Sequence, residues 1–248
     1  MRLFSCSNCK HTVFFENVRC TQCGEALAYL PDVRDMSALQ PIEDQSNTLG
    51  TQIKYERLGV RSRQLYRLCD NSLEYGLCNW AIPIEDEDSL CPSCRLNDVV
   101  PNLSQPDALD AWRRLEIAKR RLYYALDELK LPIESRDDRP KEGLVFSFMQ
   151  DGEDGTKVFT GHNDGLITIN IAEADDPLRE KLKKNLGESY RTLLGHFRHE
   201  IGHYYWDRLV KDSEWLSAYR ALFGDESVDY GDSLKRHYAQ GAPKDWPL

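Results

Sequence analysis

His199-Glu200-Ile201-Gly202-His203 is the stretch from which the rest of the chain is best read. It has the form H-E-x-x-H and lies in a segment, about 190–210, whose pattern predicts a helix. Residues four apart on a helix stand one above the other, so His199 and His203 can offer two imidazole nitrogens to one metal ion. Glu200 is beside the first histidine and out of line with the pair, which places it to reach a metal-activated water rather than the metal. That donor set in that order is the pattern of zinc-dependent peptide hydrolysis. Five letters meet by chance in many helices, so the flanks matter. Leu193, Leu194, Phe197, Ile201, Tyr204, Tyr205 and Trp206 are apolar or aromatic and predict a buried helix. Histidines and a carboxylate buried there need partners, and a metal supplies one. The bland alternative is a core helix whose histidines satisfy backbone groups.

Composition bounds what surrounds this segment. The chain has 248 residues, 41% of them hydrophobic and 29% charged, enough for one sizeable core and one or two small modules. Its formal net charge of −9 disfavours nucleic acid as a partner. The start, Met1-Arg2-Leu3-Phe4-Ser5-Cys6, lacks an apolar leader core, and no apolar run approaches the ~18 residues of a membrane span, so a cytoplasmic protein with no membrane association is expected. All eight cysteines precede Arg95. In a reducing compartment such clustering points to metal rather than disulfides.

The cysteines fall into two groups. Cys6-x-x-Cys9 and Cys20-x-x-Cys23 each make a tight turn that aims two thiolates at one point, and together they specify a closed four-sulfur zinc site. Gly24 suits the chain reversal after Cys23, and Thr12-Val13-Phe14-Phe15 between the turns can form a short strand. His11 reads as a surface residue, because four thiolates already fill the site. Cys69, Cys78, Cys91 and Cys94 form a second group with a wider first spacing, and an even count ending in a CxxC again favours zinc. Spacing alone leaves open whether the groups form separate sites or one interleaved module. Asn79-Trp80-Ala81-Ile82-Pro83 reads as a strand with an aromatic anchor, and Glu85-Asp86-Glu87-Asp88 as a solvated loop.

The organisation that follows is a zinc ribbon at 1–30, a connector without clear periodicity at 31–65, a second zinc ribbon at 66–100 and one larger domain at 101–248. Lys54, Arg57, Arg61, Arg63 and Arg67 make a basic cluster in the front part. Residues 1–100 hold 10 Lys+Arg against 14 Asp+Glu, a net of −4, so the cluster reads as a solvated face. In the larger domain, Ser104 or Asp107 can cap a helix reaching about Lys130, with Leu109, Trp112, Leu115, Ala118, Leu122 and Ala125 at three- and four-residue steps. Arg113, Arg114, Lys119, Arg120 and Arg121 are expected on its outer, solvated face. Strands are expected at Leu144-Val145-Phe146-Ser147-Phe148, at Lys157-Val158-Phe159-Thr160 and at 166–171, where Ile167, Ile169 and Ile171 share one face. The last of these could hold an extended peptide by edge pairing. Asp176-Pro177 starts a helix, Asn185-Leu186-Gly187 interrupts it, and after Val210 a helix from Trp215 to about Phe223 precedes an acidic loop at 224–232.

Strands followed by a helix with H-E-x-x-H is the order of elements in the zincins. With both cysteine groups, Thr160-Gly161-His162 leading into Gly165-Leu166-Ile167-Thr168-Ile169-Asn170, and Gly195-His196-Phe197-Arg198-His199-Glu200-Ile201-Gly202-His203-Tyr204-Tyr205-Trp206, nearly the whole chain resembles a bacterial family of zinc-binding metallopeptidases. That family joins an N-terminal double zinc ribbon to a zincin-like domain. The resemblance implies an α+β fold: two small zinc-ribbon modules, then a zincin-like mixed sheet with helices carrying H-E-x-x-H. It also implies His199 and His203 as zinc ligands and Glu200 as catalytic base, and it supplies no substrate. Related chains continue with a further helix rich in Trp, Glu and His, so the 101–248 domain is expected to be C-terminally incomplete.

The third ligand is the gap. No third histidine follows in the spacing that would extend the motif, and Tyr204-Tyr205-Trp206-Asp207 carries on as helix. Glu214, Asp225, Glu226, Asp229 and Asp232 are the acidic candidates, Asp229 first. His196 lies on the same face a turn away and reads as a support or core residue, His237 as a surface residue. Tyr204 and Tyr205 are candidate oxyanion donors, with packing the favoured role. The expected cofactors are three zinc ions, two structural and one catalytic, with a peptide or protein substrate and a protein partner for the ribbons. The rival function is a zinc-ribbon interaction module attached to an inactive or incomplete zincin-like domain.

Overall fold

The computed structural model describes residues 2–42, 53–152, 154–177, 179–180 and 192–241. The polar run at 43–50, the interruption expected at Asn185-Leu186-Gly187 and the terminal Trp246-Pro247-Leu248 lie outside them. The chain divides into two compact units, Met1–Ile201 and Gly202–Leu248, with the division inside one continuous helix. The described elements are a mixture of sheets and five helices, an α+β fold.

The first unit begins with a hairpin, β1 (Phe4–Ser5) against β2 (Thr12–Val13), which carries the first cysteine turn. A five-stranded antiparallel meander follows: β3 (Ala26–Leu30), β4 (Asp35–Pro41), β5 (Tyr55–Arg57), β6 (Tyr66–Leu68) and β7 (Ala81–Pro83). A parallel bridge between Tyr29 and Trp80 brings the first strand against the approach to the last. The expected 31–65 connector therefore supplies β4 and β5 to this sheet. Its pattern is hidden because β3 and β4 are covered on both faces. Leu27, Tyr29, Met36 and Ala38 face one core, with Phe4, Phe15, Trp80 and Tyr124, while Ala28, Leu30 and Leu39 face another with Tyr66. Strands buried on both sides lose the alternation that sequence reading relies on. The first cysteine turn is held to this sheet by Ser7, whose Oγ accepts the Ala38 N–H at 2.9 Å. The basic cluster is partly structural: Arg57 Nε donates to Ser37 Oγ at 3.0 Å, and Arg67 donates to the Ile84 carbonyl at 3.2 Å.

A four-residue helix, α1 (Asp70–Leu73), follows Cys69. After Cys94 the chain turns directly into β8 (Asn97–Val99), the first strand of a second sheet, and then into the long helix α2 (Ala108–Glu128). That sheet has the order β10-β11-β9-β8, with β9 (Val145–Met149) parallel to both neighbours and β10 (Gly161–Asn163) antiparallel to β11 (Leu166–Asn170). Gly165 makes the turn between β10 and β11 at φ +82°, and a Cβ there would stand 2.5 Å from the carbonyl oxygens of Glu142 and Gly143. Only glycine fits that position.

This topology corrects two expectations. β11 is not an edge strand, because the Asp164-Gly165 turn folds β10 onto it, so peptide pairing cannot occur there. Lys157-Val158-Phe159-Thr160 is irregular, because side chains take its backbone groups: Val158 N donates to Asp151 Oδ1 at 3.0 Å and the Val158 carbonyl accepts Asn170 Nδ2 at 2.9 Å. Residues 176–177 and 179–180 are helical, as the Asp-Pro start implies.

The helix of the opening motif is α3 (Leu193–Leu209), which runs from the first unit into the second. The second unit continues with α4 (Leu216–Phe223) and α5 (Tyr230–Gln240), neither with a buried residue. Trp206 of α3 packs on Tyr219 of α4 with ring centroids 4.5 Å apart. α5 replaces the end of the expected acidic loop. Its start is set by Asp229, whose Oδ1 accepts the Asp232 N–H at 2.9 Å, the ordinary N-cap bond.

Candidate metal centres

Two CxxC turns bring Cys6, Cys9, Cys20 and Cys23 together, with all four sulfurs within 4.8 Å of one another. Cys6 and Cys23 Sγ are 3.8 Å apart, and Cys9 and Cys20 Sγ are 3.6 Å apart. Sulfurs at ~2.3 Å from a tetrahedral zinc stand ~3.8 Å from each other, so the spacing fits that ion. Disulfide sulfurs would be ~2.05 Å apart, and all eight cysteines are free. Glycine 24, at φ +78°, reverses the chain after Cys23, and its N–H donates to the Cys20 carbonyl at 2.9 Å. The Cys23 N–H, then burial and the Gln22 N–H, act on Cys20, and the donors win: its thiol falls to about 6.

The second group, Cys69, Cys78, Cys91 and Cys94, is separate from the first and meets the same 4.8 Å limit. Cys78 and Cys91 Sγ are 3.7 Å apart, and the Cys91 N–H donates to Cys69 Sγ at 3.3 Å. The thiols of Cys78, Cys91 and Cys94 donate to Cys69 and hold it well below the ordinary thiol range. The two groups differ in exposure: all four sulfur residues here are buried, whereas Cys9 and Cys23 of the first are half-buried. The acidic run is no free loop. Asp86 and Asp88 hold Arg95, next to Cys94, at 2.6 and 3.0 Å.

α3 is built differently from the buried helix that its flanks predict. Phe197, Glu200, Ile201 and Tyr204 form a buried stripe at three- and four-residue steps, while Arg198, His199, Gly202 and His203 are exposed. A helix turns about 100° per residue, so His199 and His203 lie about 40° apart, and Glu200 lies about 60° from the second of them toward the buried side. Phe197 fixes the rotation, with its ring 5.8 Å from Phe146 and 6.3 Å from Phe148 of β9. His196 meets Glu173 with Nδ1 3.0 Å from Oε2, tying the start of the helix to the turn after β11. Glu173 carries no signal in the sequence. The Tyr204 hydroxyl accepts Arg208 Nη1 at 2.9 Å and its ring meets Tyr205 at 5.0 Å, so packing is its evident role.

Among the described residues, only the two cysteine groups gather three or more metal-binding side chains. Four of the five candidate carboxylates are engaged locally: Asp229 caps α5, Asp232 meets Lys235 at 3.1 Å, Asp225 accepts Ser227 N–H at 2.9 Å and Glu226 meets Arg220 at 2.6 Å. Asp229 does not join His199 and His203, because a short acidic loop became a capped helix. His237 is exposed on α5, as expected.

Residues 108–248 match the family described as "Putative zinc-binding metallo-peptidase", and residues 3–105 match a zinc-ribbon domain. The chain belongs to this metallopeptidase family. Uncharacterized proteins of Mycobacterium bovis and Mycobacterium tuberculosis are each 41% identical to this family member over 247 residues, 99% of the chain. The chain spans 65% of the length of these curated relatives. No solved structure matches it. No described helix of this metallopeptidase-family chain is long and apolar enough to cross a membrane.

Proposed function

We propose that the chain is a zinc-dependent metallopeptidase in which His199 and His203 hold the catalytic metal and Glu200 is the general base. The observation that carries this is the division of α3, with both histidines on its open face and Glu200 at the border of the buried stripe. Zinc bound there supplies a Lewis acid that polarises the scissile carbonyl and brings the pKa of water toward ~7. Glu200 then takes the water proton and passes it to the leaving amine. Phe197 on Phe146 and Phe148 keeps the histidine face at one rotation, and the Glu173–His196 pair holds the start of the helix. A peptide or protein is the substrate class. An extended substrate would pair with β10, the edge strand beside β11. The eight free thiols suit a reducing compartment, so we place the chain in the cytoplasm.

The test uses an unfolded protein as substrate and measures metal content alongside hydrolysis. Glu200→Gln should keep the metal and lose about 100-fold or more of the activity. His203→Ala should lose both. Undiminished hydrolysis by Glu200→Gln would overturn the assignment. One observation favours the second reading, an interaction module with an inactive zincin-like domain: among the described residues, the two histidines belong to no group of three metal-binding side chains. In that case neither substitution would change the metal content.

A further inference from the structure

α2 carries charge where none was expected. Lys119 and Arg120, expected on its solvated face, have side chains only 1% and 5% exposed, and Glu116 beside them is 0% exposed. Lys119 Nζ donates to Glu116 Oε1 at 2.9 Å and to Asn97 Oδ1, and it lies 5.8 and 5.6 Å from the ring centres of Phe146 and Phe148. Arg120 Nη1 donates to the Leu77 carbonyl at 2.6 Å and stands 3.9 Å from Glu116 Oε2. Two cations and one carboxylate leave a net positive charge inside the protein. A buried charge without a counter-charge is strongly unfavourable.

The second cysteine group lies on the chain at both of these contacts. Leu77, which Arg120 holds, precedes Cys78, and Asn97, which Lys119 holds, comes three residues after Cys94. Burial pushes the Arg120 guanidinium down, but Cys78, Glu116, Cys94 and Cys91 together raise it above its ordinary value. Four neutral thiols would leave the positive charge uncompensated. Four thiolates around a divalent ion carry a charge of about minus two, which the helix charges partly cancel. The first group has a different environment. Cys9 and Cys23 are half-buried, and the neighbouring Lys10 and Arg19 are exposed, with Lys10 donating to the Ser7 carbonyl at 2.7 Å. Water can screen that site, and it cannot reach the second in the same way.

We propose that Arg120, assisted by Lys119, is a positioning residue of the second cysteine group: it compensates a buried tetrathiolate of a zinc-type divalent ion at Cys69, Cys78, Cys91 and Cys94. The second site then holds its metal longer than the first, and helix α2 is fastened to the ribbon through that charge. This inference is independent of the hydrolytic reading.

The experiment loads the full chain with cobalt(II) and follows the sulfur-to-cobalt charge-transfer absorption while a chelator competes for the metal. That absorption reads only sulfur-bound ions, and Cys9→Ser and Cys94→Ser assign its two phases. In the parent, the first group should empty before the second. Arg120→Met should speed release from the second group about 10- to 100-fold, the usual range for a residue supporting metal ligands, and leave the first group unchanged. Arg120→Lys should restore most of the retention, and Arg113→Met, at a half-exposed position of the same helix where the side chain pairs with Asp110, should have no effect. Glu116→Gln removes the buried anion, so it should leave second-site retention equal or longer, whereas a purely packing role predicts faster loss. If Arg120→Met fails to fold, Arg120→Lys and Glu116→Gln decide the question. Release from the second group no later than from the first, Arg120→Lys failing to retain second-site metal, or faster loss in Glu116→Gln would each overturn the proposal.

Discussion

Glu200 shares its stripe with Phe197, Ile201 and Tyr204, so its backbone position is set by packing rather than by metal. Phe197 is fully buried against β9. Phe197→Ala should therefore lower stability by about 3–5 kcal/mol, the usual cost of emptying such a site, as measured by urea unfolding of the zinc-loaded chain. Stability within about 1 kcal/mol of the parent would mean that β9 does not anchor the helix. Glu200→Gln, by contrast, is nearly isosteric and should act on hydrolysis and leave metal content alone. The helix that carries the motif was legible in the sequence, expected at about 190–210 and found at Leu193–Leu209. The exposure of His199 and His203 was not, because aromatic flanks point to burial without saying which face they cover.

α5 shows what a short acidic segment can hide. Asp229 was the first choice for a third ligand, yet it caps the helix through the Asp232 N–H. Asp229→Ala should cost about 1 kcal/mol of local stability, seen as lost helicity or a lower melting temperature. It should leave the number of bound zinc ions unchanged, and a loss of one ion would restore Asp229 as a ligand. The signals for this helix were present in Asp229 as N-cap, Asp232 in its first turn and His237 in its last. β10 was missed for another reason: it is three residues long, and the longer apolar run before it, Lys157-Val158-Phe159-Thr160, gives its backbone groups to Asp151 and Asn170. Lys119 and Arg120 were misplaced because charge was read as exposure, although Lys119 falls three residues before Leu122 and four after Leu115 on the buried stripe of α2.

At the scale of the molecule, the zinc-ribbon part and the sheet that follows are joined inside the first unit. Cys94 leads almost directly into β8, and α2 carries Tyr124 into the ribbon core while Lys119 faces Phe146 and Phe148. The two cysteine groups were readable from spacing and the α+β class from the resemblance; the five-stranded meander was not readable, because β3 and β4, its first two strands, are buried on both faces. Each cysteine group should account for one zinc ion, so Cys9→Ser and Cys94→Ser should each lose one, with the Cys94 variant disturbing the larger domain more. The most direct test of the account is zinc counted per chain by native mass spectrometry, in the parent and in a His199→Ala/His203→Ala variant. The account predicts three ions in the parent and two in the variant, with both cysteine groups still filled. Two ions in both would contradict it and leave a zinc-ribbon protein without a catalytic metal.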